Sequence, residues 1–146
     1  METVLRESLI DRLNNSWGPY IARFQSLSAA EQSVYLQKQG YQSFPALLAH
    51  IIAWWQDGTR VIEQMRLEST MPLPDYNVDE FNARAVRDFE GCSEGEVIQA
   101  FETQRQALLV LVNELPDCQL CQENINTRLY YEILMHWSEH SLSQVS

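Results

Sequence analysis

Ser43-Phe-Pro-Ala-Leu-Leu-Ala-His50-Ile-Ile-Ala-Trp54-Trp-Gln-Asp57-Gly58-Thr-Arg-Val61-Ile62-Glu-Gln-Met65 is the stretch from which the fold can be read. Ser43 is placed to cap a helix, because its hydroxyl can accept from a backbone N–H that the first turn leaves unpaired. Pro45 falls within that turn, where its missing N–H costs nothing. Phe44, Leu47, Ile51, Trp54, Gly58, Val61, Ile62 and Met65 then recur at helical spacing and predict one buried face. Thr70-Met-Pro-Leu-Pro-Asp75 ends the helix, since two prolines cannot continue it.

Upstream, Leu5, Leu9, Leu13, Trp17, Ile21 and Phe24 form a second apolar stripe, with a kink or restart expected at Gly18-Pro19. Residues 27–42 read as a connection, with a short turn at the capping-box spelling Ser28-Ala-Ala-Glu31. Downstream, Asn77 to Phe89 predicts a shorter helix carrying Phe81, Ala85 and Phe89. Ser93 and Glu96 spell another capping box. It opens a long helix through Val97, Phe101, Leu108, Leu111, Val112 and Leu115, closed by Pro116. A last helix is expected from Asn126 or Thr127 almost to the C-terminus, with Leu129, Ile133 and Trp137 as its apolar line. No alternating run bounded by turn pairs predicts a strand. The expected fold is all-α: a four-helix bundle with a short extra helix before helix three, forming one domain over residues 1–146.

Composition narrows the partners. The chain has 146 residues, 45 % of them hydrophobic, and a net charge of −10. Lys38 is its one lysine and the arginines are scattered, so the basic stripe needed to grip a phosphate backbone is missing and nucleic acid is excluded. Anionic membrane surfaces are disfavoured on the same ground. No apolar run is long enough to span a bilayer and Met-Glu-Thr-Val-Leu-Arg lacks a signal core, so the expected location is cytoplasmic. Cys92, Cys118 and Cys121 are an odd set. Cys118-Gln-Leu-Cys121 has no second pair for a zinc ribbon and no βαβ unit for a redox motif, so it reads as incidental.

Chemistry enters with the three histidines. His136-Trp-Ser-Glu-His140 places two imidazoles about 40° apart on one helical face, where both can reach one ion. Leu129 and Ile133 share that face, which turns the pair toward the core, where unpartnered ring nitrogens are costly. His50 stands at the edge of the second helix's buried face. Metal sites in bundles are built from facing helices in this way, and three imidazoles leave a position open for water or substrate. Core histidines satisfied by hydrogen bonds would look the same in sequence, so a structural role is the alternative. The spelling H-x-x-E-H also matches an inverted zinc-peptidase motif. A peptidase would need an acidic ligand well downstream, and only six residues follow His140. Glu139 is then either an outer ligand-orienting or proton-transfer group, or a solvated flank carboxylate.

Leu47-Leu-Ala-His50-Ile-Ile-Ala-Trp54 and His136-Trp-Ser-Glu-His140, in this order, resemble the DinB/YfiT-like superfamily of bacterial four-helix bundles over nearly the whole chain. Within it the sequence is most similar to the ClbS/DfsB type, through Pro72-Leu-Pro-Asp-Tyr76 and Val78-Asp-Glu-Phe-Asn82. The resemblance implies a nickel- or zinc-type site on His50, His136 and His140. It further implies thiol-dependent transferase or isomerase chemistry on small electrophiles. For the ClbS type it implies a protective opening of a reactive cyclopropane that does not depend on metal.

Three readings of function follow. The first is a metalloenzyme, hydrolase or thiol-dependent transferase, acting on a small reactive molecule. In it Trp54 and Trp137 wall the pocket, Asp57 or Glu139 orients ligands, and Asp79, Phe81 and Asn82 contribute to the mouth or merely open their helix. A low-molecular-weight thiol is its candidate cosubstrate. The second is a metal-free, ClbS-like hydrolase or binding protein for a reactive metabolite. The third is a non-catalytic bundle that dimerises through apolar helix faces.

Overall fold

A computed structural model of the chain describes residues 2–142. Among them every regular element is helical: α1 (Arg6–Asp11), α2 (Tyr20–Gln25), α3 (Ala29–Gln39), α4 (Phe44–Leu67), α5 (Val78–Asp88), α6 (Glu94–Glu114), α7 (Asp117–Leu120), α8 (Glu123–Leu129) and α9 (His136–His140). Two π-helical segments, Arg12–Trp17 and Tyr130–Met135, prolong α1 and join α8 to α9, so residues 6–17 and 123–140 each run as one continuous helix. No helix is long and apolar enough to cross a membrane among these residues.

The hub is α4. Its start is as expected: Ser43 accepts from the Ala46 N–H at 3.2 Å, with Pro45 in the first turn. Its burial is wider than one face. Leu47, Leu48, Ala49, His50, Ile51 and Ile52 are all buried, because α6, α5, α3 and α8 pack around it. A helix surrounded by others must be apolar around most of its circumference. The two tryptophans also differ from expectation. Trp55 is the one sunk in the core, whereas Trp54 is half-buried and lines a cavity.

Both capping boxes form. The one at Ser28 and Glu31 opens a full helix, α3, where the sequence predicts a connection. Gly40 stops it in the left-handed region at φ 80°, which glycine adopts without strain. The pattern is faint because Tyr35 is the one fully covered side chain of α3. The Tyr35 hydroxyl donates to the backbone carbonyl of His140 and accepts from the Tyr20 hydroxyl at 2.5 Å, which fastens α3 to the end of α9.

The final helix starts at Glu123, earlier than Asn126 or Thr127, after the extra turn α7. It ends at His140, and the continuation predicted towards the C-terminus falls on residues 143–146, outside the described residues. The restart at Gly18-Pro19 is present, with α2 resuming at Tyr20.

A π-turn inserts a residue into the helical ladder and leaves carbonyl groups short of partners. Side chains supply them. Trp17 Nε1–H donates to the Ile133 carbonyl and Trp55 Nε1–H to the Glu132 carbonyl, each at 2.9 Å and buried. In the other π-segment, Arg105 Nη1 donates to the Leu13 carbonyl at 3.1 Å. These donors set the register at which His136 and His140 arrive opposite α4. Trp17→Phe keeps an aromatic ring but removes the buried donor to the Ile133 carbonyl. Urea denaturation is expected to show a loss of about 2 kcal/mol; an unchanged midpoint would mean the π-segment stands without the indole.

Candidate metal centre

His50 comes from α4, and His136 and His140 open and close α9. One ring nitrogen from each lies within 4.8 Å of the others, and the ring centroids form a near-equilateral triangle of 5.5, 5.0 and 5.5 Å. Zinc–nitrogen bonds of about 2.0–2.1 Å in tetrahedral geometry would separate ligand nitrogens by about 3.4 Å. His50 Nε2 and His140 Nε2 are 3.2 Å apart.

The partners of these two rings fix their protons. Trp54 Nε1–H, a donor only, meets Asn82 Oδ1 at 2.7 Å, so that atom is the amide oxygen. His50 Nδ1 lies 2.9 Å from the same oxygen and must therefore donate to it. Gln39 Nε2 donates to the Glu139 carbonyl at 3.0 Å, which leaves Gln39 Oε1 to accept from His140 Nδ1 at 2.6 Å. Both Nδ1 atoms are spent as donors. In neutral rings both Nε2 atoms then carry lone pairs, and these face each other with no proton between them.

Burial holds the rings neutral. Desolvation lowers His50 to a pKa of about 4 and His140 to about 3, the latter helped by the neighbouring His50. His136, its side chain 11 % exposed, is pushed well below its ordinary value by desolvation and by the other two imidazoles. Neutral imidazole is the form that ligates a metal.

Behind His136 lies a buried charge chain. His136 Nδ1 is 3.4 Å from Glu132 Oε1, and among the described residues these are the two buried side-chain polar atoms without a hydrogen bond. Glu132 Oε2 accepts from Arg128 Nε at 2.7 Å. Arg128 also donates to the Tyr76 hydroxyl at 2.7 Å and to Asp57 Oδ2 at 3.3 Å. Desolvation raises Glu132 to about 7, against the pull of Arg128. Gly58 leaves room for it: a Cβ there would sit 2.9 Å from Glu132 Cγ. A carboxylate behind an imidazole is the usual means of orienting a ligating histidine.

A cavity of about 550 Å³ opens onto the three rings, and Trp54, Asn82 and Glu139 line it. Glu139 Oε2 stands 4.0 Å from His140 Nε2 on a half-exposed side chain, and partial burial raises its pKa. The other expected residues sit elsewhere. Trp137 does not wall the cavity but packs edge-on against Trp17 and Tyr20 in the aromatic core. Asp57 lies a layer out, accepting from Tyr76 at 2.5 Å and Arg60 at 2.7 Å, and reaches the centre only through Arg128. Phe81 packs against Trp54 with ring centroids 4.0 Å apart, and Asp79 is exposed in the first turn of α5; neither lines the cavity.

Sequence reasoning missed Gln39, Tyr76, Arg128 and Glu132. The four-residue steps from Arg128 to Glu132, His136 and His140 carried a signal for two of them; Gln39 and Tyr76 carried none. The three cysteines are exposed free thiols, and none belongs to the ligand cluster.

No protein-family model, curated protein or solved structure matches the chain.

Acid sensitivity follows from the buried imidazoles. Their native pKa values lie below the unfolded value of about 6.5, so the unfolded chain takes up three protons that the native state refuses. The contribution of the rings is full above pH about 6.5 and is lost as pH falls, down to about 4 for His50 and about 3 for His140. Glu132, raised to about 7, works oppositely and offsets one proton. Metal-free protein is therefore expected to lose up to about 3 kcal/mol per pH unit near pH 5 to 6. Urea unfolding across that range should show a much flatter acid limb in His50→Gln/His140→Gln, and equal slopes would contradict the buried neutral rings.

Proposed function

We propose that this chain is a metal-dependent enzyme of the DinB/YfiT-like four-helix-bundle type, with a divalent ion, nickel or zinc, on His50, His136 and His140. Its substrate is a small reactive molecule admitted by the cavity. The bundle reading is supported by the packing of four long helical runs (6–17, α4, α6 and 123–140), with α6 and α8 against α4 and α1 against α6. The observation that carries the metal is the pair of opposed Nε2 lone pairs at 3.2 Å, an arrangement that is repulsive when empty and is satisfied by a cation.

The ion, when bound, supplies Lewis acidity to water, a thiol or the substrate itself at its open position. The protein's own groups do the rest. Asn82 and Gln39 hold the Nδ1 protons, so that both Nε2 atoms point inward. Glu132 steadies the His136 ring, and Arg128 balances its charge. Glu139, raised by burial, is placed to take or give a proton at the cavity mouth.

Metal analysis of protein purified without an affinity tag tests the reading. About one equivalent of divalent metal is expected at neutral pH, and His50→Ala, His136→Ala and His140→Ala should each lose it. A folded wild type that takes up no nickel or zinc would leave the metal-free protective hydrolase or the dimerising bundle.

Glu132 is expected to act through His136. Glu132→Ala should weaken metal binding by about 10- to 100-fold, with Glu132→Gln retaining part of the affinity. Competition with a chromophoric chelator would read this, and equal affinity in all three proteins would show that Glu132 has no orienting role.

A further inference from the structure

The cavity lining contains one cationic side chain, Arg128, and each of its nitrogens is engaged. Nε meets Glu132 Oε2 at 2.7 Å, Nη1 the Tyr76 hydroxyl at 2.7 Å, and Nη2 Asp57 Oδ2 at 3.3 Å. Two carboxylates, Glu132 and Glu139, also line the space. A bound ion would satisfy one anionic or polar head group. Arg128 already faces two carboxylates, Glu132 and Asp57, so a second anionic group on the ligand would add negative charge to an acidic lining, and desolvating it would be costly.

The rim has the opposite character. Leu73, Val78 and Tyr131 are 38 %, 51 % and 42 % exposed, and all three line this cavity. They are three of the seven large hydrophobic side chains exposed among the described residues, and they come from a loop, the first turn of α5 and a π-segment. Three separate elements converging apolar side chains on one mouth is a patch rather than scatter. Pro74 and Met135 continue the apolar lining inward, and the cavity volume of about 550 Å³ suits one small organic molecule.

On the metal reading above, we infer that the ligand carries a single metal-directed polar head on an uncharged, apolar body, and has no second anionic group. The head meets the ion between the imidazoles, and the body lies against Leu73, Val78 and Tyr131.

Cobalt(II)-loaded protein titrated with acetyl, butanoyl and hexanoyl hydroxamates tests this through the visible absorption of the metal. Affinity is expected to rise about fourfold per methylene. Adipic monohydroxamate, of equal length but ending in a carboxylate, should bind at least about tenfold more weakly than the hexanoyl compound. Val78→Asp puts a carboxylate where a helix N-terminus accepts one, so the fold and cobalt spectrum should persist while the methylene gradient shrinks. Cobalt binding with no dependence on chain length, or with preference for the carboxylate-ended probe, overturns this inference alone. A dimer that Val78→Asp dissociates, with that flat dependence, assigns the rim to a second copy and overturns it too. Failure to bind cobalt at all brings down the metal reading and this one together.

Discussion

Everything at the centre of this molecule depends on two amide oxygens. Asn82 Oδ1 and Gln39 Oε1 each claim the Nδ1 proton of an imidazole, and each amide is held in orientation by a group that leaves it no choice. The indole of Trp54 can only donate, and the carbonyl of Glu139 can only accept. Two lone pairs are thereby turned onto one point at the inner end of the cavity. The arrangement could hold a cation, and its imidazoles are already ordered, which would spare binding the cost of ordering them.

The third imidazole is governed by charge. A carboxylate as buried as Glu132 is tolerable only because Arg128 lies against it, and Arg128 is tolerable because Asp57 and Tyr76 complete its coordination. The chain runs from the half-buried Asp57 inwards to Glu132, whose Oε1 stands 3.4 Å from His136 Nδ1. Gly58 is part of the same arrangement, since a methyl there would displace the Glu132 side chain. The guanidinium also lies 5.9 Å over Trp54 and 5.3 Å over Tyr76, which ties the charge chain to the cavity wall.

The framework delivers these groups through irregular helices. The π-segment Tyr130–Met135 shifts the phase of the last helix just before His136, and the tryptophans of two other helical runs donate to its Glu132 and Ile133 carbonyls. Helix α3 contributes a single fully covered ring, yet Tyr35 and Gln39 both fasten the end of α9, so His140 is held from outside its own helix.

Local signals in the sequence settled what local physics controls. Ser43, Ser93 and Glu96 mark helix starts because capping is satisfied within four residues, and Gly18-Pro19 and Pro116 mark interruptions because proline lacks a donor. The four-residue step from His136 to His140 gave the candidate ligand pair, since helical geometry alone puts both on one face. Tertiary structure decided the rest. Whether Trp54 or Trp55 faces the cavity depends on which helices surround α4, and periodicity is blind to that when nearly every position is apolar. Trp137 went to the core because Trp17 and Tyr20 lie there to receive it. Gln39, Asn82 and Glu132 became partners of the histidines through contacts across 101, 32 and four positions of the chain. Of these separations only the shortest repeats with the helix. A hydrogen bond between distant segments leaves no periodic trace, so the three clustered histidines were legible and most of what aims them was not.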